Sequence, residues 1–377
     1  MKYLLCLLIA VPIQGFEITS FSRLFYDDNV FMRASSTADK TSTFYYSQSF
    51  NAKINLFNDK VTINALPEIR YRSVDKKTLC FGSVGYNSQF EITPKLVVNT
   101  KNSFSHSERE PSDLDDDLDV TYFMNKSSAE LIWQPRYLTK LKGKYKNSVK
   151  RWSDNLPVSE TELTNGDYTQ HAYQFTIEQI IHKRFILEVI GQNSQLDYNG
   201  PRGGVNNNTI YTQLSYVPNS YTILKINYGS IWSEIENQNG AISKYSTPTY
   251  GANLTFFTPR GTVLGFNTVY EVMDSSVAYW NMKENLKTSV VLKYPITPKL
   301  EISTMFAHLL TSYKGISNRY DGLNLSRDEE VFVSSVTLSW KYNENHYAEV
   351  GYQGLHLWSD TADVFKNKYF IGYRINF

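Results

Sequence analysis

The chain has 377 residues, and its 38 Lys and Arg residues nearly balance 37 Asp and Glu residues, giving a formal net charge of +1 at pH 7. This near neutrality argues against a strongly basic nucleic-acid-binding domain, so we expect no nucleic-acid partner. The chain is rich in Tyr (28) and Phe (21), which favour strands. No stretch after the first few residues approaches the roughly 20 apolar residues of a membrane-spanning helix.

The first predicted element is a secretory signal peptide. Lys2 precedes an apolar run at 3–13 that is too short to span a membrane, and Gln14 and Gly15 follow it. We predict cleavage near Gly15, which makes residues 1–15 the signal peptide and residues 16–377 a single barrel domain. Only Cys80 then remains, so no internal disulfide is expected.

Alternation of apolar and polar residues with a period of two predicts strands through the rest of the chain. The predicted strands are 18–33, 44–56, 61–71, 79–92, 96–104, 119–133, 137–151, 168–180, 185–198, 209–217, 221–235, 250–257, 262–273, 282–294, 300–313, 331–342, 347–358 and 369–377. Eighteen is our prediction, with sixteen as the alternative, because closed single-chain barrels of bacterial outer membranes have an even number of strands.

The connections between these strands are of two kinds. Short connections rich in Pro, Gly, Asn and Asp, such as 57–60 and 258–261, alternate with long polar ones, such as 105–119, 153–167 and 313–330. Outer-membrane barrels have short periplasmic turns and long external loops. The sequence therefore predicts an all-β, antiparallel, up-and-down transmembrane barrel located in the bacterial outer membrane.

The last predicted strand has the strongest alternation. The residues Tyr369, Ile371, Tyr373, Ile375 and Phe377 share one face of KYFIGYRINF. This pattern resembles the terminal strand by which barrels are recognised for assembly, and we interpret these five residues as an assembly signal. The expected partners are the barrel assembly machinery, outer-membrane lipid and lipopolysaccharide.

The stretch FYDDNVFMR at 25–33, followed by long alternating strands, resembles the β-barrel porin 2 group of outer-membrane proteins. The resemblance implies a barrel fold and an outer-membrane location. Some members of that group are associated with exopolysaccharide production, so the resemblance also implies a link to an exopolysaccharide.

The stretch TKLKGKYKNSVKRW at 139–152 carries a lysine at alternate positions. In a strand, Lys140, Lys142, Lys144 and Lys146 share one face, and Leu141, Tyr145 and Val149 share the other. A Lys facing lipid near the membrane midplane costs roughly 2–4 kcal/mol. We therefore expect these four lysines, the lysine ladder, to line the lumen.

The same reasoning, applied to other strands, predicts a lumen with net positive charge. Further inward basic residues are Arg70, Arg72, Lys225, Lys283, Lys287, Lys293, Lys368 and Arg374, whereas the inward acids are Glu68, Glu178, Glu188, Glu271 and Glu349. Two interpretations remain open. The basic charges favour the passage of anions, or they form ion pairs with acids on neighbouring strands.

The sequence gives little support for a catalytic site. His106 and Ser107 near a strand end carry no longer motif, and we interpret His106 as a solvated loop residue. The acidic stretch with Asp113, Asp115, Asp116, Asp117 and Asp119 lacks the glycine and spacing of an EF-hand loop. The glycine-rich stretch at 200–204 precedes no helix and is interpreted as an external loop. We expect no enzymatic activity, no metal and no cofactor.

These observations predict a porin-like outer-membrane channel with a net-basic lumen that passes anionic or polar solutes passively. The alternative is a structural or adhesive surface barrel without an open pore. An outer-membrane hydrolase is the weakest of the three hypotheses.

Overall fold

A computed structural model gives the fold of the chain. It describes residues 13–28, 42–74, 76–108, 121–152, 167–198, 204–236, 242–274, 282–314, 327–359 and 363–377. The predicted signal peptide at residues 1–15 lies outside this part except for its last three residues.

The described residues form eighteen strands and one sheet. The strands are β1 (Ile13–Asp27), β2 (Thr43–Leu56), β3 (Val61–Arg72), β4 (Lys77–Thr93), β5 (Leu96–Glu108), β6 (Thr121–Arg136), β7 (Thr139–Trp152), β8 (Tyr168–His182), β9 (Phe185–Tyr198), β10 (Val205–Asn219), β11 (Thr222–Glu236), β12 (Ile242–Phe257), β13 (Val263–Asp274), β14 (Met282–Thr297), β15 (Leu300–Lys314), β16 (Arg327–Lys341), β17 (His346–Ser359) and β18 (Asp363–Asn376).

The sheet closes on itself. Each strand pairs in antiparallel fashion with the strands before and after it in sequence, and β1 also pairs with β18 from Thr19↔Asn376 to Asp27↔Lys368. The result is an up-and-down barrel of eighteen strands, which confirms the predicted fold and excludes the alternative of sixteen.

The two faces of the wall have opposite character. In β8, Tyr173, Phe175 and Ile177 point outward and are exposed, whereas Thr176 and Glu178 point inward and are buried. The same alternation extends around the barrel, so that large apolar side chains cover the outside and most buried polar side chains lie inside. An apolar exterior around a polar interior is the arrangement of a barrel surrounded by lipid.

The connections differ at the two ends of the barrel. At one end, called here the turn end, strands are joined by tight turns such as 57–60, 137–138 and 298–299. At the other, called the loop end, the longest connections are those at 28–42, 109–120, 153–167 and 315–326. The connections at 73–76 and 360–362 are short although they lie at the loop end, so the predicted alternation of length is not strict.

Most strands extend beyond their predicted limits at the loop end. β12 begins at Ile242 rather than 250, and β18 begins at Asp363 rather than 369. Outside an apolar band the outward residues become polar, so the period-two pattern fades while the backbone ladder continues. β1 is shifted toward the N-terminus: it begins at Ile13, pairs there with Leu56, and ends at Asp27 rather than 33.

Within the described ranges, no helix has the length and apolar character needed to cross a membrane.

Candidate functional site

The lysine ladder lies on β7 and faces the interior. Its intervening residues Leu141 and Tyr145 pair with Ile177 and Tyr173 of β8, whose side chains are exposed on the outer wall. Lys140, Lys142, Lys144 and Lys146 therefore occupy the opposite, inward face.

Acidic residues on three other strands contact this ladder. Glu178 of β8 lies 3.3 Å from Lys140 Nζ and 2.5 Å from Lys142 Nζ, and Glu188 of β9 lies 3.1 Å from Lys142 Nζ. Glu130 of β6 is more distant, at 3.9 Å from Lys144 Nζ. The interpretation of pairing across strands therefore holds for the turn-end half of the ladder.

Glu188 is held by a further hydrogen bond, donated by Gln213 Nε2 of β10 at 2.5 Å. The group formed by Lys140, Lys142, Glu178 and Glu188 contains two positive and two negative charges. These charges largely cancel, so this group ties neighbouring strands together more than it attracts mobile ions.

The loop-end half of the ladder is different. Among the described residues, no carboxylate lies within 4.0 Å of Lys146, and Lys144 has only the long contact with Glu130. Asn99 Nδ2 donates a hydrogen bond of 3.0 Å to the other oxygen of Glu130, so this carboxylate is shared. The ladder thus changes from balanced to net positive toward the loop end.

A second group of inward charges surrounds a buried carboxylate on β17. The Glu349 carboxylate lies between two guanidinium groups, 2.9 Å from Arg23 Nη2 and 3.5 Å from Arg374 Nη1. Arg374 also lies over the ring of Tyr347, 4.0 Å from its centroid. Two cations around one anion leave this part of the wall with net positive charge.

Two further inward carboxylates, Asp27 and Glu68, also contact basic residues. Asp27 is buried and lies 3.4 Å from Lys366 Nζ and 3.7 Å from Lys368 Nζ. Arg70 lies 3.1 Å from Glu68 and is placed over the rings of Tyr45 and Phe81.

The register places four more of the predicted lumen residues. Arg72 is opposite Tyr45 and Lys77 and is buried. Lys225, Lys283 and Lys287 alternate with outward residues, including the exposed Ile226 and the outward Leu286. They line other parts of the wall, so the structure does not gather all predicted site residues into one cluster.

Apolar patches inside the barrel were not expected from the sequence. Near the loop end, Val331, Leu357 and Val364 form one inward row across β16, β17 and β18 and are buried, packed against Leu309 and Leu355. Phe25, Tyr45 and Phe370 form another such row. A sequence signal for inward apolar residues is present in segments such as VFVSSVTL at 331–338, where both alternating faces carry apolar residues.

The side chains of the predicted assembly signal lie on the outer wall. Tyr369, Ile371, Tyr373 and Phe377 are exposed, and Ile375 shares their face by register with Ser20. Their placement fits contact with lipid or with another protein in the membrane. Their role in assembly stays a prediction.

Of the candidate catalytic residues, the structure describes His106 and Ser107, and it does not bring these two side chains together. His106 lies in β5 rather than in a loop, and its ring stacks on that of Phe123 with centroids 4.4 Å apart. Consecutive strand residues face opposite sides, so Ser107 points away from His106. The acidic stretch 113–119 and residues 200–203 lie outside the described residues.

Three solved structures align with almost the whole chain. Acinetobacter baumannii OccAB3 matches with a TM-score of 0.50 and 10% identity, over 97% of this chain and 100% of that one. Pseudomonas aeruginosa OccK2 (OpdF) matches with a TM-score of 0.50 and 11% identity, over 97% and 98%. A BenF-like porin from Pseudomonas fluorescens Pf-5 has a TM-score of 0.49 and 10% identity, over 97% and 100%.

The two matches at a TM-score of 0.50 show that the chain shares the fold of those proteins. No family model and no curated protein sequence matches the chain.

Proposed function

We propose that the protein is a porin-like channel of the bacterial outer membrane that passes anionic or polar solutes passively and has no enzymatic role. The observation that carries this proposal is the pair of inward lysines Lys144 and Lys146 on β7, whose two positive charges have, among the described residues, one carboxylate within 4.0 Å, that of Glu130. The apolar exterior supports a membrane location, because an outer wall covered by exposed rings such as Tyr173 and Phe175 is typical of a barrel surrounded by lipid.

Fixed positive charge on the wall of a narrow pore favours anions. The low-dielectric wall concentrates the field of the charges in the lumen, so a few unbalanced lysines change the potential more than they do on an open surface. Arg23 and Arg374 around Glu349 add to this potential from another part of the wall. An acidic exopolysaccharide is one candidate solute, supported by the resemblance of the 25–33 stretch.

The test is single-channel recording in planar bilayers with a salt gradient. We expect the wild type to conduct with a reversal potential that indicates anion preference. The double variant Lys144→Gln/Lys146→Gln should shift this potential toward the cation side at about 0.1 M salt and less at 1 M, where the Debye length is only about 3 Å.

A matched control removes one balanced pair. Lys140→Gln/Glu178→Gln leaves the net charge unchanged and removes groups that are 3.3 Å apart, so its reversal potential should stay near that of the wild type. A conducting Lys144→Gln/Lys146→Gln variant with an unchanged reversal potential contradicts the anion preference.

A second candidate is a structural or adhesive barrel with a filled interior. The inward apolar row of Val331, Leu357 and Val364 favours it, since these side chains are buried although they face the interior. Absence of conductance from folded wild-type protein would support this candidate and contradict the channel. The hydrolase hypothesis gains no support from His106 and Ser107, because these two side chains face opposite sides of the wall.

A further inference from the structure

A short pattern recurs on three consecutive strands. Residues 101–103 of β5 read KNS, residues 126–128 of β6 read KSS, and residues 146–148 of β7 read KNS. With a period of two, the Lys and Ser of each triplet share one face, and the middle residue points to the other.

The register aligns these triplets into a grid. One row across β5, β6 and β7 is Lys101, Ser128 and Lys146, and the adjacent row is Ser103, Lys126 and Ser148. Lys126 therefore has a serine on each side, and Lys101 and Lys146 have Ser128 between them. These six residues are called the Lys–Ser grid.

The grid faces the interior. In β6 it shares its face with Glu130, whose carboxylate meets Lys144 of the inward ladder. The middle residues of the triplets point outward, where Asn102 Nδ2 donates a hydrogen bond of 3.1 Å to Ser127 Oγ. The outward neighbours Phe104 and Leu131 are exposed on the outer wall.

The ammonium and hydroxyl groups of the Lys–Ser grid can form further interactions with a ligand. Among the described residues, no carboxylate lies within 4.0 Å of the ammonium groups of Lys101, Lys126 or Lys146, and the three serine hydroxyls have no side-chain hydrogen-bond partner. All six residues are accessible rather than buried. Three cations and three hydroxyl donors thus face the lumen together.

We propose that the Lys–Ser grid binds a multiply charged tetrahedral oxyanion of the phosphate class. Directly opposite residues have Cβ atoms about 4.5–5.5 Å apart and diagonal ones about 7–8 Å, which is within the reach of lysine side chains converging on one anion. The proposal builds on the basic lumen of the proposed channel, but it concerns binding and does not require conduction.

The composition of the grid favours phosphate over a carboxylate. Its cations are all lysines, which act as point charges, whereas the planar fork of arginine suits bidentate recognition of a carboxylate. A dianion interacts with more than one ammonium group at once, while a monocarboxylate leaves two of the three lysines without a counter-charge. The serines supply further donors for the remaining oxygens.

The experiment is a ³¹P NMR titration of the full barrel in maltoside micelles with inorganic phosphate at about pH 8, where phosphate is mostly a dianion. We expect saturable binding by the wild type. Lys101→Gln/Lys126→Gln/Lys146→Gln should weaken it at least about 30-fold, since hydrogen bonds to charged groups contribute strongly. Ser103→Ala/Ser128→Ala/Ser148→Ala keeps the charge and should weaken binding about 5-fold.

The matched control is Lys225→Gln/Lys287→Gln/Lys293→Gln, which removes the same charge from β11 and β14. It should weaken phosphate binding no more than about 2-fold at an ionic strength of about 0.15 M, because screening acts within about 8 Å. A titration with glycerol 3-phosphate distinguishes a phosphate ester from the free anion, and loss of binding of either ligand in the grid variant supports the proposal.

Equal weakening in the grid and control variants overturns the proposal, because binding would then reflect the average charge of the lumen. Absence of saturable binding by the wild type, or equal competition by acetate, also overturns it. Each variant is first shown to be folded by its heat-modifiable migration. Since binding is measured in micelles, a failure here is distinct from a failure of conductance in the bilayer.

Discussion

Lys142 and Glu188 form an ion pair across an intervening strand. Lys142 Nζ of β7 lies 3.1 Å from Glu188 Oε1 of β9, and β8 runs between them. To make this contact the lysine side chain must lie along the wall rather than project toward the centre of the lumen. This lysine acts as a link between strands, and its charge is counterbalanced where it stands.

The first prediction follows from this pair. Glu188→Gln removes one of the two carboxylates around Lys142 and should increase anion preference, measured as reversal potential across a salt gradient. The free energy of unfolding should fall by only about 1 kcal/mol, because the pair is partly accessible to water.

Glu301→Gln is the matched control, since it removes the same charge from a partly exposed pair with Lys293 at 3.1 Å. If both variants shift the reversal potential equally, the potential depends on the total charge of the lumen and not on the release of Lys142.

The second prediction concerns the outer wall. Leu141→Lys/Tyr145→Lys places two charges against lipid, at a cost of roughly 2–4 kcal/mol each near the midplane. We expect a large loss of heat-modifiable barrel in the outer-membrane fraction. Ser148→Lys adds a charge to the inward face of the same strand and should leave the amount of barrel near that of the wild type. Comparable losses in both variants would contradict the assigned faces of β7.

The third prediction concerns the buried Glu349. Glu349→Gln leaves Arg23 and Arg374 close together without their shared counter-charge, and breaking such a buried arrangement costs about 3 kcal/mol. The midpoint of guanidinium-induced unfolding should fall accordingly. Glu68→Gln, which removes a more exposed partner of Arg70, should have a much smaller effect. A Glu349→Gln midpoint equal to that of Glu68→Gln would be inconsistent with this account.

The fourth prediction concerns the terminal strand. Tyr373→Ser/Phe377→Ser should leave much of the protein unassembled in the periplasm if these outward residues are read as an assembly signal. Val350→Ser changes an exposed outward residue of β17, opposite Ile371, and should have little effect on assembly. The measurement is the fraction of heat-modifiable barrel in isolated outer membranes. Normal assembly of the double variant would rule out the signal.

The fold follows from the sequence more directly than the site does. Lipid on one side and a polar interior on the other impose a period of two, so Lys140 to Lys146 could be oriented from a single strand. Pairing between strands carries no such local signal. Lys142 and Glu188 are 46 residues apart in sequence, and their contact depends on the register of three strands.

The face of β6 shows the same limit. Asn125 and Ser127 are polar yet outward, where they hydrogen-bond with Asn102, so both faces of β6 contain polar residues and alternation alone leaves its phase ambiguous. The inward position of Lys126, and with it the Lys–Ser grid, becomes evident only from the register with β5 and β7. The repeated K-x-S triplets were the available signal.

The pairing of β1 with β18 has a consequence for folding kinetics. Thr19 Oγ1 donates a hydrogen bond to Asn376 Oδ1 across 357 residues of sequence, whereas the other strand pairs join neighbours along the chain. Closure of so long a loop has the largest entropic cost of any pairing in the barrel. We therefore expect the pairing of β1 with β18 to be the last step of folding. A substitution in this pair, such as Thr19→Val, should then change the unfolding rate of the barrel more than the rate at which the earlier hairpins fold.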